Sequence, residues 1–305
     1  MTVSRTVPTA VDVSMARAAI EPYARRTPLL AARVDGRPVL LKLEHLQLSG
    51  SFKLRGALNA LLATSLPERV VTASGGNHGL AVATAAGLLG VPATVFVPTT
   101  VPAGKARRIE AAGARLVRTG VRYAEAALAA RELADAGGHR YLPAYDDPAV
   151  VAGQGTVAAE VIADAPGVDA LVVAGGGGGL AAGTALAAGA RTTVVVEPEG
   201  CRSTADALAA GRPVDSATDS VAADALGATR IGDVPFAVLR AANVTPVLVS
   251  DAEILSARDR LWEEFRIAAE PAAAAPFAAW LAGRVQASLP CLVVCGANAD
   301  WAPGQ

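Results

Sequence analysis

Lysine is almost missing from this 305-residue chain. Lys42, Lys53 and Lys105 are the three lysines among 27 Lys and Arg residues, so arginine supplies the other 24. Aromatic residues make up only 4% and the net charge is -1, with no basic stripe, which argues against a nucleic-acid partner. Cys201, Cys291 and Cys295 are too few and too scattered for a disulfide framework or a zinc site. Apolar residues reach 52% and mean hydropathy is +0.38, much of it alanine and valine. The most apolar stretch, Ala268–Gly283, is interrupted by Glu270, Pro271 and Pro276 and is too short to span a bilayer. The N-terminus lacks the charged-then-apolar pattern of a signal peptide. These absences point to a soluble cytoplasmic protein, without nucleic-acid or membrane partners, that works on a small molecule.

What is present is an alternation of short β-branched runs with Ala-rich segments of helical period. Val39–Glu44, Arg69–Ala73, Ala93–Pro98 and Ala114–Thr119 read as strands, as do Ala170–Ala174, Thr193–Glu197, Val247–Ser250 and Cys291–Cys295. Helical patterns lie at Phe52–Ala63, Gly79–Leu89, Lys105–Ala112, Tyr123–Ala136 and Gln154–Ala163. Continuously apolar strands alternating with helices predict parallel sheets covered on both faces, in a doubly wound α/β architecture. No internal repeat or low-complexity linker is present. The length suits two lobes: a larger one from residues 1–67 and 146–305, and a smaller one, residues 68–145, inserted into it. Ligands in such sheets sit beyond the carboxyl ends of the strands. The loops expected there are Ser74–Gly79, Gly175–Gly179, Glu197–Cys201 and Gly296–Asp300.

The rarity of lysine makes Lys53 informative. It lies in S-G-S-F-K-L-R-G-A (Ser49–Ala57), among small residues that leave room for a bulky partner on the amine. A lysine amine condenses with an aldehyde and an arginine does not. A surface lysine on a helix is the alternative. Gly175–Gly179 is a run of five glycines between a strand and a helix. Its backbone N–H groups and the helix N-terminus make a phosphate cradle, although G-K-[ST] is absent and no acidic ribose reader follows at dinucleotide spacing. Ser74–Gly79 reads S-G-G-N-H-G, again between a strand and a helix. A hydroxyl, free amides and an Asn side chain in one turn can bind a carboxylate or a phenolic oxygen; Ser74 or Asn77 can also cap the helix. An amine, a phosphate cradle and a carboxylate loop together suggest pyridoxal 5'-phosphate, which carries an aldehyde and a phosphate.

At this point the chain resembles a known family, the serine/threonine dehydratase branch of the fold-type II pyridoxal-phosphate enzymes, which also contains serine racemase. The resemblance rests on L-K-L-E-H-L-Q-L-S-G-S-F-K-L-R-G-A (Leu41–Ala57), S-G-G-N-H-G, and V-P-A-G-K-A-R-R-I-E-A-A-G-A (Val101–Ala114). It continues through A-Y-D-D-P with A-G-Q-G-T (Ala144–Thr156), G-G-G-G-G-L, E-P-E-G (Glu197–Gly200), A-E-P (Ala269–Pro271) and C-G-A-N (Cys295–Asn298). These segments occur in family order over nearly the whole chain. The resemblance implies a tryptophan synthase β-like fold, two doubly wound parallel-sheet lobes with the cofactor in the cleft between them, and a homodimer. It implies that Lys53 binds the cofactor aldehyde, that Phe52 packs near the ring, that Asn77 meets the phenolic oxygen, and that Gly175, Gly176, Gly177, Gly178 and Gly179 hold the phosphate. It adds Glu270 to the cofactor site and sets Cys295 facing the pyridine nitrogen. Ser74, Gly75, Asn77 and His78 are implied to meet the substrate carboxylate, and Tyr145 and Leu226 to line the substrate pocket. A neutral thiol makes a weaker electron sink than a carboxylate partner would. That favours rapid expulsion of a β-substituent over transamination.

The implied reaction is elimination of the β-hydroxyl of L-threonine or L-serine to give a 2-oxo acid and ammonia. A specialised substrate such as a 3-hydroxyaspartate or phenylserine is the alternative side chain. Serine racemases resembling this chain place a Ser where Gly75 stands, as the acid opposite lysine, so the residue here disfavours racemisation. Cysteine synthase relatives, which perform β-replacement, differ in the asparagine and lysine segments. Lys53, Ser74, Asn77 and the glycine loop together argue against a non-catalytic pyridoxal-phosphate or amino-acid binding protein. Some members hold a cation at positions that are here Glu197, Cys201 and Ser203. The missing second carboxylate weakens a Mg²⁺ site and leaves a monovalent cation at Glu197, a helix N-terminal acid or a solvent-exposed charge as the readings of that glutamate. The chain ends ten residues after Cys295, from which no feedback by isoleucine through a regulatory C-terminal domain is expected.

Overall fold

A computed structural model describes residues 6–299. Its ten strands are β1 (Leu29–Val34), β2 (Arg37–Lys42), β3 (Val70–Ala73), β4 (Ala93–Val97), β5 (Arg115–Arg118), β6 (Arg140–Tyr141), β7 (Ala170–Ala174), β8 (Thr192–Pro198), β9 (Val244–Val249) and β10 (Pro290–Val293). They form two sheets: six strands in the order β1-β2-β10-β7-β8-β9, and four in the order β5-β4-β3-β6. All pairs but one are parallel.

The period-2 logic of a doubly covered sheet is visible in β3. Val70 joins the cluster that includes Ala81 and Val82 of helix Asn77–Leu89, while Val71 and Ala73 join Ala126 and Ala130 of helix Tyr123–Asp135. All four residues of β3 are therefore buried, which is why the strand reads as a continuous apolar run. In the larger sheet, β7 is equally buried. Helix Pro271–Leu281 packs across its strands and is buried nearly all round, Phe277 stacking on Trp280 at 5.8 Å. That accounts for the apolar stretch Ala268–Gly283 as a core helix. Among the described residues no helix is long and apolar enough to cross a membrane.

The exceptional pair is β1–β2, an antiparallel hairpin whose sequence signal is Asp35–Gly36. Both residues have positive φ, 50° and 75°, as a two-residue turn between twisted strands requires. The strand β6 also escapes the sequence reading, being two residues long. Strand β9 starts three residues earlier than the apolar run because Pro246 lies in an edge strand, where a missing N–H is tolerated. Helix Pro148–Asp164 starts six residues before its expected beginning. Asp147 caps it, accepting from the N–H groups of Ala149 (2.8 Å) and Val150 (3.1 Å), with Pro148 in the first turn. The A-Y-D-D-P segment is thus partly a helix start.

Beneath helix Lys53–Leu62 lies a buried ion network. The Arg55 guanidinium donates to both carboxylate oxygens of Glu44 at 2.8 Å and to those of Glu160 at 2.7 and 2.9 Å. Lys42 Nζ donates to Glu160 at 2.5 Å and to the Thr27 carbonyl at 2.8 Å, and the Thr27 hydroxyl donates to Glu44. All four charged groups are buried and the signs balance. The network ties the lysine-bearing helix to β2 and to helix Pro148–Asp164.

Candidate active site

The loops after β3 and β10 lie near Lys53, through His78 and Cys295, and the loops after β7 and β8 join each other through Gly176 and Glu197. Backbone contacts hold its segment against the end of β10: Phe52 N–H donates to the Cys295 carbonyl at 3.0 Å, Ser51 bridges Gly296, and Ala297 N–H donates to the Gly50 carbonyl at 3.0 Å. Lys53 is half-buried and its Nζ donates to the Ala144 carbonyl at 3.0 Å. No carboxylate lies within ion-pair distance of it among the described residues. Burial pulls its pKa from 10.5 down to about 8, with the neighbouring Cys295 and Glu270 acting weakly in the opposite direction. A lysine without an anionic partner is costly as a cation and available as a neutral amine. Phe52 is buried beside it, its ring centroid 5.2 Å from Nζ.

Helix Asn77–Leu89 begins at Gly76 with no side-chain cap. Ser74 does not cap it; the Ser74 hydroxyl accepts from Gly76 N–H at 3.2 Å. Neither Ser74 nor Asn77 therefore plays the capping role, and the first-turn N–H groups have no side-chain acceptor among the described residues. His78 is buried, its Nε2 3.0 Å from the Leu142 carbonyl, to which it donates. Burial first, then the Lys53 charge, pushes its pKa down to about 3, so it is neutral. A Cβ on Gly75 would come within 2.6 Å of Val101 Cγ2, so Val101 fills the space that a side chain at position 75 would need.

The glycine run is divided. Gly175 N–H donates to the Val196 carbonyl at 2.7 Å, and Gly176 N–H to Glu197 Oε1 at 3.2 Å. The N–H groups of Gly177, Gly178 and Gly179 donate to nothing among the described residues. They sit at the N-terminus of helix Gly179–Ala188, whose cap residue Gly178 offers no side-chain bond. The cradle is tight. A Cβ on Gly177 would lie 2.3 Å from the Tyr145 ring, and Gly178, at φ 87°, would meet Pro235. Tyr145 thus supports the glycine run from below, its hydroxyl donating to the Arg230 carbonyl at 3.4 Å. Leu226 flanks Gly176. Tyr145 lines a cavity of about 230 Å³ with Tyr141, Arg131 and Arg230, separate from the cavity at Asn77.

Glu197 is buried at the start of helix Ser203–Ala210, accepting from the N–H groups of Thr204 (3.0 Å) and Ala205 (2.8 Å) as well as Gly176. Its burial rules out a solvent-exposed charge, and the bonds to Thr204 and Ala205 are those of a helix N-terminal acid. Among the described residues no group of three or more His, Cys, Asp or Glu gathers to hold a metal ion. Asp300, the end of the last expected loop, lies outside the described residues.

Asn77 Nδ2 donates to Glu270 Oε1 at 2.8 Å. Burial raises the Glu270 carboxyl from 4.5 to about 7, although the bonds from Asn77 and Asn298 work against it. Burial also raises the Cys295 thiol well above 9, so it is protonated. Asn77, Glu270, Lys105, Asp224 and Asn298 line a cavity of about 80 Å³. Asn298 and Lys105 lie within the sequence motifs, which give them no role. Nothing local marks their convergence, because Asn298 lies 221 residues from Asn77.

A family model described as pyridoxal-phosphate dependent enzyme matches residues 20–296. A catabolic L-threonine dehydratase from Staphylococcus aureus is 34% identical over 286 residues, which cover 90% of this chain and 83% of that protein. Among solved structures, a threonine deaminase of T.th. superposes with a TM-score of 0.91 at 37% identity, over 97% of this chain and 100% of that one. Maize serine racemase superposes with a TM-score of 0.90 at 29% identity, over 97% and 95% of the two chains.

Proposed function

This chain belongs to the pyridoxal-phosphate dependent enzyme family, and from that premise we propose that it is an ammonia-lyase removing the β-hydroxyl of L-threonine or L-serine. The products are a 2-oxo acid and ammonia. The observation that carries the reading is the Lys53 amine, partly buried, donating to a backbone carbonyl with no carboxylate partner among the described residues, its pKa lowered to about 8. The threonine dehydratase and deaminase relatives support the same reaction class.

The residues present fit the cofactor. Three N–H groups at Gly177–Gly179, without acceptors among the described residues, suit a phosphate at a helix N-terminus, and the lysine suits an aldehyde. When bound, pyridoxal phosphate supplies an aldehyde that holds the substrate amine and a ring that accepts the electron pair left by the α-proton. The Lys53 amine would take that proton as general base. A pKa near 8 leaves an appreciable neutral fraction at neutral pH. The free N–H groups at the start of helix Asn77–Leu89 bind the substrate carboxylate, with Ser74 beside them. Glu270 accepts from Asn77 and would orient it toward the phenolic oxygen of the bound cofactor. Cys295, kept protonated by burial, offers the pyridine nitrogen no anion, which suits elimination. We place the enzyme in the cytoplasm as a homodimer; exposed Val11 and Met15 on helix Ala10–Ile20 suit a second copy.

A panel of L- and D-3-hydroxy amino acids, including threonine, serine, 3-hydroxyaspartate and phenylserine, tests this directly. Oxo acid and ammonia should appear in equal amounts with at least one L-substrate. Inversion of serine without ammonia, or no turnover across the panel, would remove the lyase reading.

The racemase neighbour favours a second reading, which Gly75 opposes. Because Val101 occupies the space at position 75, Gly75→Ser alone should disturb the loop and not raise racemisation. Gly75→Ser with Val101→Ala should raise the ratio of D-serine formed to ammonia released by at least about tenfold. An unchanged ratio in the double variant means that the missing acid does not limit racemisation.

A further inference from the structure

The Asn298 side chain and backbone make four hydrogen bonds to four separate elements. Its Nδ2 donates to the Ser49 carbonyl and to Asn77 Oδ1, each at 2.8 Å. Its backbone N–H donates to Glu270 Oε2 at 3.3 Å, and its carbonyl accepts from Arg108 Nη2 at 3.2 Å. Ser49 precedes the lysine segment, Asn77 opens helix Asn77–Leu89, Glu270 precedes helix Pro271–Leu281, and Arg108 belongs to helix Ala103–Ala111. The fit is close: a Cβ on Gly50 would fall 2.5 Å from Asn298 Oδ1.

We infer that Asn298 is a positioning residue that sets the orientation of the Asn77 amide, and through it the binding of the cofactor; this rests on the proposed function. The amide of Asn77 has two ends, and a protein group holds each. Glu270 accepts from Nδ2, and Asn298 donates to Oδ1. The second Nδ2 hydrogen has no acceptor among the described residues and remains for a phenolic oxygen. An amide free to rotate by half a turn would present an oxygen to that acceptor half the time. Glu270 alone fixes the orientation poorly, because a carboxyl held near 7 is an acceptor when ionised and a donor when protonated. Asn298 Nδ2 donates at every pH, so it permits one orientation only. The same amino group, by also holding Ser49, fixes the distance between the lysine segment and the asparagine loop.

Three variants test this, with cofactor affinity read by titrating apoprotein with pyridoxal phosphate and following the visible band. Asn298→Asp keeps the shape and loses both donations, setting an oxygen against two oxygens. Asn298→Ala loses them with a smaller side chain. Both should weaken cofactor affinity and lower kcat by about tenfold to a hundredfold, and shift the visible maximum, at a folding midpoint close to the parent's. The third variant combines Asn298→Ala with Asn77→Ala and should be no worse than Asn77→Ala alone within about twofold, since a residue acting through Asn77 has nothing left to position. Losses that simply add, or an Asn298→Asp protein with parental affinity and spectrum, would overturn the inference. A parent protein without any visible band would instead remove the cofactor reading beneath it, so the two failures are distinct.

Discussion

Lys53→Ala, saturated with pyridoxal phosphate, will show no protein-linked visible band, and its ammonia release will fall by about 10⁴-fold or more. Two functions are lost together: the amine that condenses with the aldehyde and the base that takes the α-proton. Lys53→Arg separates this chemistry from electrostatics. It keeps a cation in a chain that uses arginine for 24 of its 27 positive charges, but a guanidinium neither condenses nor gives up its proton near neutrality. It should be as inactive as the alanine variant. Absorbance spectra and an ammonia assay on both proteins check the expectation. Substantial turnover in either variant would remove Lys53 from the centre of the mechanism.

Arg55→Met will lower the stability of the apoprotein by about 3–5 kcal/mol, because it leaves Glu44 and Glu160 buried with one remaining cation between them. The deficit should depend on pH. Burial pushes the Glu160 carboxyl up, but the hydrogen bonds and charge of Arg55, then those of Lys42, hold it below its ordinary 4.5. A carboxyl held low stabilises the fold above its ordinary pKa, and that contribution fades as pH falls through the depressed one. Without Arg55 the sign reverses: burial dominates, the folded pKa rises, and ionisation becomes a cost. The gap between parent and variant should therefore be small in strong acid, start to open below 4.5 as Glu160 ionises in the parent, and keep widening above 4.5 as it ionises at a cost in the variant. Urea midpoints at several pH values measure it. A gap that is constant with pH would mean that lost packing, and not the uncompensated carboxylates, explains the instability.

Much of the fold is legible because its signals are local. A strand covered on both faces must be apolar throughout, and β3, β4 and β7 are recognisable on that basis. Elements escape where the local signal is weak or overridden: β6 is two residues long, Pro246 interrupts β9, and the Asp35–Gly36 turn of the β1–β2 hairpin is easily overlooked. Helix Pro148–Asp164 begins early because a cap, not the apolar period, sets its start.

The sequence by itself determined the chemistry on offer. It supplied one lysine among small residues, glycines after one strand, an asparagine turn after another, and a cysteine at the end of a third, in family order. Those are properties of residue type and short spacing, which survive without coordinates. Tertiary structure decided what each group is free to do. It left the N–H groups of Gly177–Gly179 open while Val196 and Glu197 took those of Gly175 and Gly176. It set Glu197 at a helix start, set Val101 against Gly75, and brought Asn298 to Asn77 across 221 residues. Burial then moved Lys53 down and Glu270 up toward neutrality. Hydrogen-bond availability and desolvation depend on which distant segments pack together, and no spacing along the chain encodes that.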